Sequence, residues 1–287
     1  MDHITIAMPP PQRLIAIGEN LCDKTFKDDV QAVFEYARGE HGVSNMVLTT
    51  SDLRASLEQN LRLCRAPWAG KALTCTVGLH PHKAREFKGP STLAEMRRIV
   101  SNNKGVVVAI GETGLDFNRD FSPREKQVES FAAHVALAQE LRLPLFLHER
   151  DAHVEFLRVL DGFDPSRCHA VVHCFTGTRD ELREYLRRGL YVGLTGTVAM
   201  AKRGLGLRDM LAAGELPLER LMVETDCPYM TPDGAHDLLM RSGRNEPATL
   251  SVTVRTIADA LGVSYEKVAR ATTENAIRFF GLDASVR

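Results

Sequence analysis

The sequence predicts an α/β fold, a (β/α)8 TIM-type barrel, on three observations. Short apolar runs of strand length recur along the chain, a helical pattern follows each, and no linker-like segment divides them. Strands are expected over about 14–18, 44–50, 73–79, 106–110, 145–147, 170–172, 190–194 and 221–223. Their continuous apolar character is that of strands buried on both faces, as in a parallel sheet. Helices are expected over about 27–38, 52–64, 91–102, 152–160, 180–188 and 207–213, with two more near 248–261 and 265–280 closing the chain. The clearest helical pattern follows Ser122-Pro123. The serine suits the cap, the proline the first turn, and apolar residues return at 128, 131, 132, 135 and 138. Gly189 is expected to stop the helix before it. A doubly wound open sheet is the competing architecture. It would carry a glycine-rich phosphate turn after its first strand, and Ile17-Gly18-Glu19-Asn20 is not one.

Residues 1–13, with Pro9-Pro10-Pro11, are expected to be a disordered lead-in, and 14–287 one domain. Apolar residues make up 44% of the chain, enough for a substantial core. A formal net charge of −1 lacks the basic signature of a sequence-specific DNA binder. It leaves nucleic acid open as a substrate, since a bound cation offsets phosphate charge locally. The cysteines at 22, 64, 75, 168, 174 and 227 form no CxxC pair, and several lie in expected strands. They are expected to be reduced residues of an intracellular, cytoplasmic protein. No run of apolar residues is long enough for a membrane span, and the N-terminus lacks a basic stretch followed by an apolar one, so neither a span nor a secretory signal is expected.

Four of the apolar runs end on metal-capable side chains: Glu112, His148, His173 and Asp226. A parallel barrel aligns its strands' carboxyl ends, so these four are expected to converge on one rim, where such folds keep their chemistry. Imidazoles with carboxylates suit Zn, Mn or Ni, whereas carboxylates and water alone suit Mg. Each residue has a blander explanation. Glu112 could be a salt-bridged strand end, and a lone strand-end histidine is more often structural. Asp226, before Cys227-Pro228, could simply start a turn. Four at matching positions favour a metal site. Asp226 could ligate the metal, take a proton from bound water, or both; a cation would make hydroxide available as nucleophile near neutral pH. Strand alternation puts Glu224 on the same side as Asp226. His80, in Gly78-Leu79-His80-Pro81-His82, is expected at the site as a ligand or phosphate contact, with His82 less firmly placed. His153 reads as a supporting or surface residue. Arg244, in Arg244-Asn245-Glu246-Pro247, could grip a phosphate or equally anchor a loop by a salt bridge.

These motifs, together with Gly111-Glu112-Thr113-Gly114-Leu115-Asp116, His148-Glu149-Arg150-Asp151 and His173-Cys174-Phe175-Thr176-Gly177, run in order from about residue 14 to 282. In that combination the chain resembles the TatD family of metal-dependent deoxyribonucleases, within the metal-dependent hydrolase superfamily. The resemblance implies a cytoplasmic barrel that hydrolyses phosphodiesters with Mg2+ or, alternatively, Mn2+ or Zn2+. It implies Glu112, His148 and His173 as metal ligands, Asp226 as the active-site aspartate and His80 as a histidine lining the site. Many relatives carry a His-x-His pair at the end of the first strand, where this chain has Gly18-Glu19-Asn20. One metal position therefore lacks its nitrogen ligands, which implies weaker binding there, harder ions such as Mg, and a second metal arriving with substrate phosphate.

The expected function is a divalent-metal nuclease acting as a 3′-5′ exonuclease on single-stranded DNA, with RNA ends also possible substrates. Metal-bound water oriented by Asp226 would be the nucleophile, and His80 and Arg244 would contact substrate. The limited positive charge suits a strand end better than long duplex. The same constellation could serve an ester or amide hydrolase, such as a D-aminoacyl-tRNA deacylase or a lactonase. A catalytically silent scaffold is a third possibility, supported only by the missing His-x-His pair. DNA repair and DNA fragmentation during cell death are both roles the resemblance suggests, and no obligate protein partner is inferred.

Overall fold

Eight parallel strands pair in sequence order in the computed structural model, which describes residues 12–241 and 243–283. They are β1 (Leu14–Glu19), β2 (Val43–Leu48), β3 (Leu73–Val77), β4 (Val107–Asp116), β5 (Leu145–Arg150), β6 (Ala170–Val172), β7 (Tyr191–Leu194) and β8 (Leu221–Val223). Between them run α1 (Val30–His41), α2 (Ala55–Cys64), α3 (Pro90–Asn102), α4 (Arg124–Leu141), α5 (His153–Leu160), α6 (Arg179–Arg187) and α7 (Leu205–Ala212). Two helices, α8 (Leu250–Leu261) and α9 (Tyr265–Phe280), follow the last strand. This is the predicted (β/α)8 barrel. The expected lead-in lies outside the described residues except for its last two. No described helix is long and apolar enough to cross a membrane, and all six cysteines are free thiols.

The two-residue period of each strand divides its side chains between two cores. In β1, Leu14 and Ala16 pack outward against the helices, while Ile15 and Ile17 turn inward with Val47, Phe146, Val171 and Met222. Both layers are dry, which is why these strands read as continuous apolar runs. At the strands' amino ends, α9 covers the barrel. Phe279 packs on Tyr191 with centroids 5.3 Å apart, and Asn275 donates to the carbonyls of Leu218 and Leu221. The opposite end stays open for the site.

Two expectations about the elements themselves need correction. The fourth strand was expected to stop at Ile110, yet β4 runs to Asp116, with every residue buried. Gly111 and Gly114, at φ 146° and 139°, let the chain continue beside β5. A Cβ at Gly114 would stand 1.9 Å from the His148 carbonyl oxygen, so only glycine permits this approach. Glu112 therefore lies within a strand rather than at its end. Ser122 does not cap α4; Pro123 occupies that position. The serine hydroxyl instead donates to the His82 carbonyl at 2.9 Å and accepts from the Arg85 amide at 3.1 Å, tying two loops on the open face.

The seam between the last and first strands is closed by backbone and side chain together. The Asp226 amide donates to Gly18 O at 3.0 Å, and the Asn20 amide to Cys227 O at 3.1 Å. Glu19, fully buried, accepts from the Thr225 amide at 3.0 Å, from the Thr225 hydroxyl, and from the Cys227 thiol at 2.9 Å. Burial, only partly offset by the Cys227 and Thr225 bonds, pushes its carboxyl up to about 8.

Arg244 braces the loop beyond the seam. Its guanidinium holds both carboxylate oxygens of Asp29, at 3.0 and 2.7 Å, and Glu246 at 3.0 Å through Nε. It also donates to Thr25 O and lies over the Phe26 ring at 4.3 Å. The side chain is 5% exposed. Of the two roles open to Arg244 in the sequence, the phosphate grip is therefore corrected in favour of the loop anchor, since its donors are already committed.

Two expectations follow for stability. Because the folded Glu19 carboxyl titrates near 8 rather than 4.5, the folded state binds this proton more tightly than the unfolded chain does. Its contribution is complete below 4.5 and is lost as pH rises through about 8. Melting temperatures across that window should fall more steeply for the wild type than for Glu19→Gln, and parallel curves would contradict a protonated Glu19. Arg244→Ala removes the only guanidinium paired with buried Glu246 among the described residues, leaving it the Met240 and Arg241 amides, and should cost about 3–5 kcal/mol in urea unfolding. Wild-type stability with weakened phosphate binding would instead restore Arg244 to the substrate.

Candidate metal centre

Three imidazoles converge on one oxygen of a buried carboxylate. Glu112 Oε1, from β4, lies 2.8 Å from His173 Nε2, 2.9 Å from His148 Nδ1 and 3.2 Å from His80 Nε2. His148 stands on β5, His173 directly after β6, and His80 in the turn that ends β3. β3 has already ended at Val77, and Pro81 starts a 3-10 turn over Pro81–Glu86 with His80 as its cap, which is why His80 and His82 part. His80 Nδ1 accepts from the His82 amide at 3.1 Å, which assigns its remaining hydrogen to the nitrogen facing Glu112. His80, Glu112 and His148 each offer a ligand atom within 4.8 Å of the others.

The electrostatics are those of a carboxylate outnumbered by bases. Burial alone would raise the Glu112 carboxyl, but His80, His173 and His148 together hold it well below the usual range. His173 responds oppositely. Burial disfavours its charged form, yet Glu112 and Glu224 raise it well above an ordinary histidine. His148 is raised too, the neighbouring Asp116 and Glu112 carboxylates outweighing burial. In His80 burial wins over Glu112 and lowers it to about 4.

Three buried polar atoms here have no hydrogen-bond partner: His148 Nε2, His173 Nδ1 and Glu224 Oε2. Unpartnered buried polar atoms are uncommon and mark a missing ligand or ion among other causes. Imidazole nitrogens beside carboxylate oxygens, several of them unpartnered, are a donor set that fits a divalent cation. Glu224, fully buried, accepts from the Cys174 amide at 2.6 Å and stands 3.4 Å from His173 Nδ1. Two glycines make its space. A Cβ on Gly18 would lie 2.1 Å from Glu224 Oε2, and one on Gly193 2.6 Å from Oε1. No side chain fits at 18 while Glu224 keeps this place.

Asp226 lies beside the cluster rather than within its tightest part. Its Oδ1 accepts from Asn20 Nδ2 at 2.9 Å. Burial pushes its carboxyl up to about 7, with Glu112 and Glu224 adding to the rise and His173 and Asn20 opposing it. Its left-handed backbone, φ 53°, is fixed from both sides. Gly18 O takes its amide hydrogen, and Asn245 Nδ2 donates to the carbonyls of Thr225, at 3.0 Å, and Tyr229, at 2.6 Å.

The structure thus gathers Glu112, His148, His173 and His80, sets Asp226 next to them, and leaves Arg244 outside. His82 binds Asp116 Oδ2 at 2.7 Å, and the same oxygen lies 3.6 Å from His148 Nε2. His153 bonds Tyr185, which donates to Glu149, in a network of its own. Sequence reasoning gave no role to Asp116 or Asn245 and only a direction to Glu224. The alternation that aligned Glu224 with Asp226 was the available signal. Nothing local marked the other two.

The TatD related DNase family matches residues 18–281. A relative from Pantoea ananatis, named 3′-5′ ssDNA/RNA exonuclease TatD, is 42% identical over 269 residues, covering 93% of this chain and 98% of the relative. The solved structure of a TatD family hydrolase from Entamoeba histolytica superposes with a TM-score of 0.81 at 25% identity, over 95% of this chain and 99% of that one. A TatD homologue from Escherichia coli gives 0.82 at 25% identity, over 94% and 99%. With these barrels matched nearly end to end, and the family covering all the residues gathered around Glu112, the chain belongs to the TatD family of DNases.

Proposed function

We propose that this protein is a divalent-cation-dependent nuclease that removes nucleotides from the 3′ ends of single-stranded DNA or RNA. The observation that carries the reading is the convergence of His80, His148 and His173 on the single oxygen Glu112 Oε1. The activity in the name of the Pantoea ananatis relative supports the substrate class. Glu112, His148 and His173 would hold the cation, with Asp226 and His80 at its margin. Mg2+ is the proposed ion, because Glu224 fills the space at Gly18 and Asn20 offers no nitrogen lone pair. When bound, the cation supplies a Lewis acid that polarises the phosphoryl oxygens and acidifies water.

The chain's own residues do the rest. Asp226, with a carboxyl near 7, is matched to receive a proton from attacking water at neutral pH. Asn20 fixes the carboxylate's direction through Oδ1. His80, lowered to about 4, stays neutral there, so it adds no competing positive charge next to a cation. Phe146, under His173 with centroids 4.6 Å apart, keeps the floor of the site free of water.

Digestion of 3′- and 5′-labelled single-stranded oligonucleotides with Mg2+ tests this reading. A ladder that shortens from the 3′ end is expected, abolished by chelator, with Asp226→Asn slower by about 10²-fold or more. No cleavage with Mg2+, Mn2+ or Zn2+, or hydrolysis of aminoacyl esters alone, would overturn it. A second test reads the metal directly. His173 and His148 hold protons more tightly than an ordinary imidazole in the metal-free protein, and a cation must displace them. Binding should therefore release protons and tighten as pH rises. Calorimetry in buffers of different ionisation enthalpy measures this, and heats independent of buffer would contradict it.

A further inference from the structure

Among the described Phe, Tyr and Trp side chains, only Phe121 and Tyr229 are exposed, at 54% and 55%. Both stand on the open face, on loops that lead out of the site. A ladder of rings connects Phe121 to the metal centre. Its centroid lies 4.7 Å from His82, His82 is 4.2 Å from His80, and His80 is 4.6 Å from His148, each pair edge to face. Tyr229 is reached from the other side. Its amide donates to Asp226 O at 3.0 Å, so its ring leaves the turn that carries the active-site aspartate.

Neither loop is slack. The Phe121 carbonyl accepts from the Arg85 guanidinium, and neighbouring Ser122 is bound by His82, Arg85 and Gln127. The Tyr229 carbonyl accepts from the buried Asn245. Rings presented to solvent on tied backbones lose little freedom when something stacks on them. Leaving them in water has a cost that a ligand would relieve.

The charge of the site says what that ligand needs. Glu112, Glu224, Asp226 and Asp116 crowd its floor, and the chain as a whole carries −1. Phosphates are not drawn here by a basic groove, so much of the grip on a strand end must come from uncharged contacts. Every nucleobase offers a flat π face, whatever its identity or sugar, but only when unpaired.

We infer that Phe121 and Tyr229 are specificity-determining residues that stack the unpaired bases at the strand end, selecting single strands over duplex without regard to base or sugar. This rests on the nuclease reading above. It adds the part of the substrate that is recognised: terminal bases, held on either side of the phosphodiester to be cut.

The test compares wild type with Phe121→Ala, Tyr229→Ala, Phe121→Trp and Tyr229→Phe on two single-stranded substrates. One has intact 3′-terminal bases, and the other has abasic residues at the same positions. On the intact strand each alanine variant should raise KM about tenfold, within the range a stacked base supplies, and leave kcat largely unchanged. The aromatic variants should keep wild-type KM, which also controls for folding. On the abasic strand wild type and alanine variants should converge. In parallel, a 3′-terminal 2-aminopurine should be quenched on binding to wild type in chelator and not on binding to the alanine variants. Wild-type KM in both alanine variants, or equal losses on intact and abasic strands, would overturn the inference while leaving the nuclease reading intact. Failure of the wild type to digest any single strand would overturn that reading and this inference with it.

Discussion

Glu112 Oε1 faces three imidazole nitrogens within 3.2 Å while the carboxylate is almost wholly removed from water. A buried carboxylate is tolerated only with compensating charge or hydrogen bonds, and here the compensation arrives from three different strands. That constraint fixes much of the open face. β4 must continue past Ile110 to bring Glu112 inward, β5 must present His148 beside it, and β6 must end as His173 arrives. Gly111 and Gly114 serve the same end, since their backbones take the conformations that let β4 follow β5 to Asp116. Asp116 Oδ2 then lies 3.6 Å from the far nitrogen of His148, near enough for its charge to act on the imidazole.

The seam gives the aspartate its place by a separate route. Asp226 follows a strand only three residues long, and left alone its loop would be the loosest part of the rim. Glu19 from within the wall and Asn245 from the following loop hold the residues on both sides of it. Arg244, Asp29 and Glu246 lock that second loop against the start of α1. A motif that reads as a phosphate grip is instead the brace for the turn that carries Asp226. Its donors face inward, and Phe26 covers the guanidinium's face.

Much of this was legible in the sequence. The convergence of Glu112, His148 and His173, with Asp226 beside them, was signalled by the apolar runs that lead to each, although Glu112 and His148 turned out to lie inside β4 and β5 rather than at their ends. The barrel followed from the count and order of those runs. What was not legible depended on partners distant in the chain. The extension of β4 is decided by its pairing with β5, and nothing in Gly111–Asp116 itself demands a strand. Ser122 looks like a cap by local chemistry, yet the carbonyl of His82, forty residues earlier, takes its hydroxyl. Arg244 has the same character on either side of the choice between phosphate and carboxylate; only the position of Asp29, 215 residues away, decides it.

Gly18 shows how one absent side chain can set the chemistry of the whole site. At Gly18 this chain has no Cβ, and the Glu224 carboxylate occupies the room. That place therefore holds a carboxylate oxygen beside His173, at 3.4 Å from its Nδ1, and no nitrogen donor. It also concentrates negative charge: burial is the main cause of the rise of Asp226 to about 7, and Glu112 and Glu224 add to it. A cation entering such a site meets oxygen donors on the β1 and β8 side and imidazoles on the β3, β5 and β6 side. Hard ions favour the first and borderline ions the second. On the proposed reading, the carboxylate-rich half would hold a cation less tightly than the imidazole half until a phosphate oxygen joined it. Under the proposed nuclease reading, a cation held on that side would share its coordination with the phosphate of a strand end next to Asp226, and its occupancy would then depend on substrate.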